Sequence, residues 1–360
     1  MQSGDSVIPL DSHASARRFD TTLIRCLATI LIVNSHLEAF YPRAWMAGDG
    51  LIGGTLFYVI SGFSLAISDS SRPRPFLSWY WRRIWRILPS LLIAGVIYTI
   101  LRGEWRTWRP IDYVTTLIWP TPYTFIQDII PFYAIFYWIM RVQNPRIFPA
   151  LLALMLVPYA CVYAVYLRLG PDVPLLYLSP RAWLAQIFCF MGMLLGGWLA
   201  RRVNLVRTNT PTDALIAVAL FLVYLAAKFV VSVFHRFTQF YFVEAVASFA
   251  LFYYLFKLAW SPKVDQTWRR NRITAPAVSF LGRLTLEIYL VHYMFTLPII
   301  AAIQFPLNII VLWAGTLPCA GALGLIADRV RSLVGQRRFG CPPATTPTLQ
   351  SDIVSNAPGT

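Results

Sequence analysis

Two residues whose side chains could take part in a reaction, Arg25 and His36, lie within the first long apolar stretch of the chain, with ten residues between them. An α-helix turns about 100° and rises about 1.5 Å per residue, so the pair would share one helix face about 16 Å apart. Ionisable groups are costly inside a bilayer and mark functional sites there, and a histidine exchanges protons near neutral pH. The same residues could also be an arginine that reaches the membrane edge and a histidine that only packs.

Two more arginines, Arg83 and Arg86, are three residues apart and would therefore share a helix face. Arg86 lies inside an apolar segment beside Pro89, so anchoring at the membrane edge explains it less well than it explains Arg82. Guanidinium groups bind phosphate through paired hydrogen bonds. A convergence of Arg83 and Arg86 with Arg25 would therefore suit a phosphorylated ligand.

Other ionisable residues also fall inside apolar segments. Arg283 and Glu287 are four residues apart and could form an ion pair within one helix. His292 follows Arg283 by nine residues, which places it on the opposite side of a continuous helix and favours a hydrogen-bonded packing role. Asp128 and Glu244 are further carboxylates, and either could orient the histidine of the first segment or pair with an arginine.

The composition explains why charged groups in these segments are informative. The chain has 360 residues, of which 57% are hydrophobic and only 13% charged, whereas soluble domains are about one quarter charged. The net charge of +15 comes from short basic clusters between apolar runs, which indicates cytoplasmic loops rather than a nucleic-acid site. The five cysteines form no CxxC pair, so neither a disulfide framework nor a metal site is predicted.

Ten apolar segments are predicted to position these residues, each long enough to cross a hydrocarbon core of about 30 Å. They cover residues 21–40, 51–69, 84–101, 123–140, 148–168, 182–200, 213–231, 239–259, 276–299 and 304–327. Twenty flanking Lys and Arg residues lie on one side of the membrane and seven on the other, so both termini are predicted to be cytoplasmic. The predicted fold is an all-α polytopic membrane protein with a polar N-terminal segment (1–18), a membrane domain (19–330) and a disordered cytoplasmic tail (331–360).

Four motifs occur in order along this membrane domain. They are Arg25 and His36 with their spacing, GGTLFYVISGF at 53–63, Arg83 and Arg86 before Pro89, and FLGRLTLEIYLVH at 280–292. In this order and spacing they resemble the integral-membrane acyltransferase family 3. That family includes bacterial enzymes that O-acylate cell-surface polysaccharides, lipopolysaccharide and Nod factors, and the resemblance covers about residues 17–330.

The resemblance implies an O-acyltransferase that moves an acyl group, in the first place acetyl, from cytoplasmic acyl-CoA to a hydroxyl of a cell-surface or lipid-linked glycan. His36 would be catalytic, as general base or as transient acyl carrier, while Arg25, Arg83 and Arg86 would bind the donor. The partners would be acetyl-CoA or another acyl-CoA, a polysaccharide or lipid-linked glycan and the lipid bilayer of the bacterial inner membrane, without metal or nucleic acid.

A transporter or flippase for a lipid, polyol or glycan is the alternative from another functional class. Transporters also place His, Arg, Glu and Asp side chains inside the membrane for coupling. The absence of two corresponding halves in the sequence and the arginines near one membrane edge favour the acyltransferase. A purely structural membrane protein would leave these charges without a purpose.

Overall fold

The computed structural model describes residues 20–48, 50–71, 73–115, 123–144, 146–169, 179–203, 206–234 and 241–339. Within these ranges the chain is almost entirely helical and contains no strand, which confirms the all-α class. The predicted polar segment 1–18 lies outside the described residues.

The helices are numbered here in chain order. They are α1 (Thr22–Asn34), α2 (Gly50–Ser71), α3 (Phe76–Arg102), α4 (Pro110–Tyr113), α5 (Thr124–Arg141), α6 (Ile147–Leu169), α7 (Pro180–Arg202), α8 (Thr210–Val233), α9 (Tyr241–Ala259), α10 (Pro262–Arg270), α11 (Thr274–Arg283), α12 (Thr285–Phe295), α13 (Pro298–Ala301) and α14 (Leu307–Phe339).

Among the described residues, seven helices are long and apolar enough to cross a membrane. These are α2, α3, α6, α7, α8, α9 and α14, and each corresponds to one of the ten predicted segments. The other three predicted segments, 21–40, 123–140 and 276–299, do not meet these criteria. They contain the 13-residue α1, the 18-residue α5, and α11 with α12, and they carry many of the buried polar groups. Helices α1, α11 and α12 are too short, at 13, 10 and 11 residues, whereas α5 is long enough but its polar side chains lower its hydropathy.

The last helix extends further than the sequence predicts. The chain from residue 331 onwards is expected to be a disordered tail, but α14 continues to Phe339. The boundary at residue 331 therefore falls inside a helix, and residues 340–360 lie outside the described part of the chain. Arg331, which the sequence assigns to the tail, becomes a structured helical residue.

Helices α2 and α7 form the centre of the bundle. About 72% and 67% of the residues in their apolar stretches are buried, against 11% for α6 and 17% for α8. The two central helices touch along glycines of the GGTLFYVISGF motif and of FCFMGMLLG at 188–196. A Cβ on Gly196 would lie 2.0 Å from the backbone oxygen of Val59. Small residues here let two helix backbones approach directly.

This packing predicts a position-dependent effect of added methyl groups. Gly196→Ala should destabilise the protein by about 1–3 kcal/mol, because the new Cβ requires the α2 and α7 backbones to separate. Gly54→Ala provides the control, since a Cβ on Gly54 meets no atom within 4 Å. Thermal unfolding of both variants in the same detergent should show a lower midpoint for Gly196→Ala only. Equal midpoints would contradict the close approach.

The predicted segment 276–299 is broken rather than continuous. Helix α11 ends at Arg283, and α12 begins at Thr285 after Leu284 leaves the helical region with φ −94° and ψ 20°. Gly282 packs directly on α1, where a Cβ would lie 2.6 Å from the backbone oxygen of Thr22. The Thr285 hydroxyl bonds to the carbonyl of Gly282 at 3.1 Å and receives a hydrogen bond from Thr29 at 3.1 Å. The break therefore sits where α11 and α12 meet α1.

Asp20 fixes the start of α1. Its carboxylate accepts hydrogen bonds from the backbone N–H of Thr22 at 2.9 Å and from the Thr22 hydroxyl at 2.5 Å, and it pairs with Arg269 of α10. Burial raises the pKa of Asp20, but the hydrogen bonds from Thr22 and Arg269 outweigh it and leave the pKa below its usual value. Charge therefore ties α10 to the beginning of α1.

Candidate functional site

His36 lies in a tight turn just beyond the end of α1. The helix ends at Asn34, and the next backbone bonds, His36 N to Val33 O (3.1 Å) and Leu37 N to Asn34 O (3.0 Å), span three residues each. The helical-face argument that links Arg25 to His36 therefore does not extend to the histidine itself. The turn, rather than α1, sets the direction of the imidazole.

Three side-chain bonds hold this turn in place. The Asn34 amide donates to the Ala47 carbonyl at 2.8 Å, and the Asn34 side-chain oxygen accepts from the Tyr41 hydroxyl at 2.5 Å. From α14, the Asn308 amide donates to the Phe40 carbonyl at 2.7 Å. Groups distant in the sequence thus fix the loop that presents His36.

The imidazole of His36 joins a hydrogen-bonded chain with two residues of α12. Its Nδ1 lies 3.0 Å from Nε2 of His292, and its Nε2 lies 2.8 Å from the hydroxyl of Tyr293. The Nδ1 of His292 lies 3.2 Å from the backbone oxygen of Ile288. His292 is fully buried, while His36 and Tyr293 remain partly exposed. Both nitrogens of His36 are therefore engaged.

The Ile288 carbonyl determines the direction of this chain. A carbonyl oxygen only accepts, so Nδ1 of His292 carries the hydrogen and, in a neutral ring, its Nε2 accepts. Nδ1 of His36 then donates to His292, and Nε2 of His36 accepts from the Tyr293 hydroxyl. The network assigns these tautomers, because hydrogens are inferred from hydrogen-bond partners. With both rings neutral, the basic nitrogen of His36 therefore lies on the Tyr293 side.

Sequence reasoning missed His292 and Tyr293 as partners of His36. It counted nine residues from Arg283 along one helix, whereas the break at Leu284 resets the direction of α12. A usable signal exists within α12 itself, because Tyr289, His292 and Tyr293 are three and four residues apart and form one polar face. The carboxylates proposed as orienting groups lie elsewhere. Asp128 accepts from Gln186 at 3.1 Å, and Glu244 is fully buried on α9.

The three predicted arginines line a single cavity of about 620 Å³. Arg25 of α1 reaches Ser64 of α2 at 3.4 Å, and Arg83 of α3 donates to Ser68 of α2 at 3.0 Å. Ser64 and Ser68 are four residues apart, so one face of α2 supplies hydroxyl groups to both arginines. The structure thus brings together arginines of α1 and α3 and serines of α2.

Arg331 of α14 also lines this cavity, although the sequence predicts it in the tail. Its Nη1 donates to the backbone oxygen of Arg86 at 2.8 Å, and its Nη2 lies 2.8 Å from the Asp328 carboxylate. With Arg283, five arginines but only two carboxylates line the cavity, so its walls carry net positive charge. Such a cavity favours an anionic ligand.

Glu287 connects three helices at the cavity wall. Its carboxylate accepts a hydrogen bond from Ser90 of α3 at 2.8 Å and lies 3.7 Å from Nη2 of Arg331. The ion pair that the sequence predicts with Arg283 is replaced by these contacts, because the helix that would align the pair ends at Arg283. Glu287 thus links α12 to α3 and α14.

His36 itself is not among the residues that line the cavity. Tyr289 of α12 stands between the two parts of the site, because it lines the cavity and packs against both His292 and Tyr293, with ring centroids 5.8 Å and 5.9 Å apart. The charged cavity and the imidazole chain are therefore separated by one layer of aromatic side chains. Among the described residues, no group of three or more His, Cys, Asp or Glu is placed to hold a metal ion.

A family model for the acyltransferase family 3, described as an acyltransferase domain, matches residues 20–327 of this sequence. The chain belongs to this family. No curated protein and no solved structure matches it.

Family membership confirms the resemblance derived from the four motifs. The matched range contains Arg25, His36, Arg83 and Arg86, as well as His292 and Tyr293 of α12. Together with the apolar helices, it supports a multi-pass membrane acyltransferase. Arg331 lies beyond the matched range and lines the same cavity from α14.

Proposed function

We propose that this acyltransferase moves an acetyl group from cytoplasmic acetyl-CoA to a hydroxyl of a cell-surface or lipid-linked glycan. One observation carries the proposal: Tyr289 lines a cavity that holds the three predicted arginines and also packs on His292 and Tyr293, the two residues that bond to the imidazole of His36. The arginines suit the phosphates of coenzyme A, and the imidazole suits the activation of a hydroxyl.

The donor would place its phosphates against Arg25, Arg83 and Arg86 and extend its pantetheine arm past Tyr289. Phosphate oxygens accept charge-assisted hydrogen bonds from guanidinium groups, and Ser64 and Ser68 already orient two of them. The aromatic layer would keep bulk water from the thioester, which strengthens electrostatic interactions there. Other acyl-CoA donors, succinyl-CoA included, share the same phosphates and would bind the same arginines.

The proposed transfer uses the lone pair on Nε2 of His36. The acceptor hydroxyl gives its proton to Nε2 as its oxygen attacks the thioester carbonyl carbon. The new C–O bond forms, the C–S bond breaks, and the sulfur leaves with the bonding electrons and takes the proton from Nε2. If His36 carries the acyl group instead, the same lone pair attacks the carbonyl carbon first and releases the thiolate. The acceptor oxygen then attacks the acyl carbon, the C–N bond breaks with its electrons returning to Nε2, and the hydroxyl proton goes to the thiolate.

The proposed topology places both termini in the cytoplasm of a bacterial cell, with ten crossings of the inner membrane. The arginines of the cavity would then face the compartment that supplies acetyl-CoA, and His36 would lie deeper, toward the acceptor. The excess of Lys and Arg in one set of loops supports this orientation. A cysteine-accessibility scan of the loops in intact cells would test it.

Binding of coenzyme A tests the proposal directly. A ligand that binds only the native state raises the unfolding temperature of the protein. At a ligand concentration of 100 times Kd the free energy of unfolding increases by about 2.7 kcal/mol. The purified protein should therefore melt at a higher temperature with coenzyme A, while dephospho-coenzyme A and pantetheine should have smaller effects. No shift at millimolar coenzyme A would favour the transporter alternative.

Arg86→Ala should weaken donor binding rather than chemistry. Loss of a hydrogen bond to a charged group costs about 1.5 kcal/mol or more, so we expect the Kd for coenzyme A and the KM for acetyl-CoA to rise about tenfold with kcat nearly unchanged. Arg82→Ala is the matched control, because Arg82 lies on the same helix but outside the cavity. Equal effects of the two substitutions would indicate a general effect of surface charge.

A further inference from the structure

The basic nitrogen of His36 is already occupied by a group of the protein itself. Since the Ile288 carbonyl fixes the direction of the chain, Nε2 of His36 is an acceptor, and the Tyr293 hydroxyl donates to it at 2.8 Å. A single lone pair on an imidazole nitrogen accepts one strong hydrogen bond. An acceptor hydroxyl cannot use this lone pair while Tyr293 holds it.

We propose that Tyr293 is a gate on His36 whose hydroxyl occupies the position that the acceptor hydroxyl must take. A phenol hydroxyl and a sugar hydroxyl present the same O–H donor, so exchanging one for the other keeps the hydrogen bond to Nε2. Until that exchange, Tyr293 keeps water from the base and so limits hydrolysis of the donor. The inference rests on the proposed acyl transfer, and it makes Tyr293 a positioning residue that acts through His36.

The surroundings of Tyr293 allow this exchange. Besides His36 at 4.7 Å, its ring packs on three aromatic neighbours, Tyr123 at 5.8 Å, Tyr289 at 5.9 Å and His292 at 4.2 Å between centroids. Tyr293 is partly exposed, unlike the fully buried His292. Because the phenol oxygen is fixed to the ring, the ring must shift within these contacts for the hydroxyl to leave Nε2, and its partly exposed side gives it room to do so. His292, by contrast, remains bonded to Nδ1 of His36 during the exchange and so preserves the tautomer of His36.

Tyr293→Phe tests the gate without removing the ring. Diethylpyrocarbonate acylates neutral imidazole at a free nitrogen, and mass spectrometry locates the adduct. A neutral hydrogen bond of about 1 kcal/mol corresponds to about a fivefold change, so His36 should react about five times faster in the variant than in the wild type. His13 and His235 serve as internal references. Tyr123→Phe is the matched control, since its hydroxyl donates to the Leu290 carbonyl at 3.4 Å rather than to His36.

An unchanged rate at His36 in Tyr293→Phe would overturn the gate. Tyr293→Leu, which removes both hydroxyl and ring, gives the same readout if the phenylalanine variant is not produced. A second readout is the acceptor-independent release of coenzyme A from acetyl-CoA, which should also rise about fivefold in the variant as water reaches Nε2.

These two readouts separate the gate from the proposed function. In one outcome, His36 is modified faster in Tyr293→Phe, but the wild type neither binds nor turns over acetyl-CoA. The hydroxyl contact would then stand, while acyl transfer, and with it the role of the gate, would be rejected. Turnover of acetyl-CoA with unchanged modification would retain acyl transfer and reject the gate. A variant that loses transfer and gains no hydrolysis would also reject the gate, because it would make the Tyr293 hydroxyl part of the chemistry.

Discussion

His36→Ala should reduce acyl transfer by about two to four orders of magnitude, the range that a positioned general base contributes. The substitution removes the ring whose Nε2 contacts the Tyr293 hydroxyl, and it leaves the arginines of the cavity in place. The KM for acetyl-CoA should therefore stay near the wild-type value while kcat falls. Incorporation of labelled acetyl groups by membranes with matched protein levels measures the effect.

The control for this substitution is Glu38→Gln in the same loop. Glu38 is exposed and lies two residues from the histidine, and the neutral amide retains its size. It should leave both transfer and thermal stability close to the wild type. Wild-type transfer by His36→Ala would reject the mechanism while leaving the family assignment intact.

His292→Ala should lower kcat by about 100-fold, the second largest effect expected. The substitution removes the His292 acceptor from Nδ1–H of His36 and leaves that donor with the Ile32 backbone as its neighbour, at a cost of about 1–3 kcal/mol. The ring is then free to rotate or to change tautomer, and loss of the correct tautomer is known to be costly for a catalytic histidine. Donor binding should not change, because His292 does not line the cavity.

His292→Gln distinguishes orientation from packing. Its side-chain oxygen can accept from Nδ1–H of His36, whereas alanine cannot. We expect the glutamine variant to recover part of kcat at an unchanged KM, and the pH dependence of its rate to resemble the wild type. If both variants lose activity in proportion to a loss of folded protein, His292 is a packing residue only, as the sequence interpretation preferred.

Local patterns were sufficient to predict the arginine cavity. The three-residue spacing of Arg83 and Arg86 and the presence of Arg25 in an apolar run depend only on helix geometry and on the cost of burying charge. In the structure all three side chains line one cavity, with Arg25 and Arg83 partly buried and Arg86 exposed. The residues of one helical face can be read from sequence because the helix repeat is regular.

The partners of His36 depend on contacts between distant segments, which no local pattern contains. The break at Leu284 occurs where Gly282 packs on Thr22 and Thr285 bonds to Thr29, so it requires α1 to be in place. The turn at His36 similarly depends on Asn308 of α14. Predicting side-chain directions from a continuous helix fails at Leu284 and at His36, because tertiary contacts end the regular helix at both points.

The short helix α1 has a consequence for biogenesis. Its 13 residues span about 20 Å, less than the hydrocarbon core of about 30 Å, and it carries an arginine. A segment of this kind partitions poorly into lipid by itself, and α5, α11 and α12 have the same weakness. Insertion of these four helices, which hold the imidazole chain and part of the cavity wall, therefore depends on the apolar helices around them. Substitutions in the lipid-facing helices that slow assembly would lower the amount of inserted protein. Activity would then be lost although the site itself is unchanged.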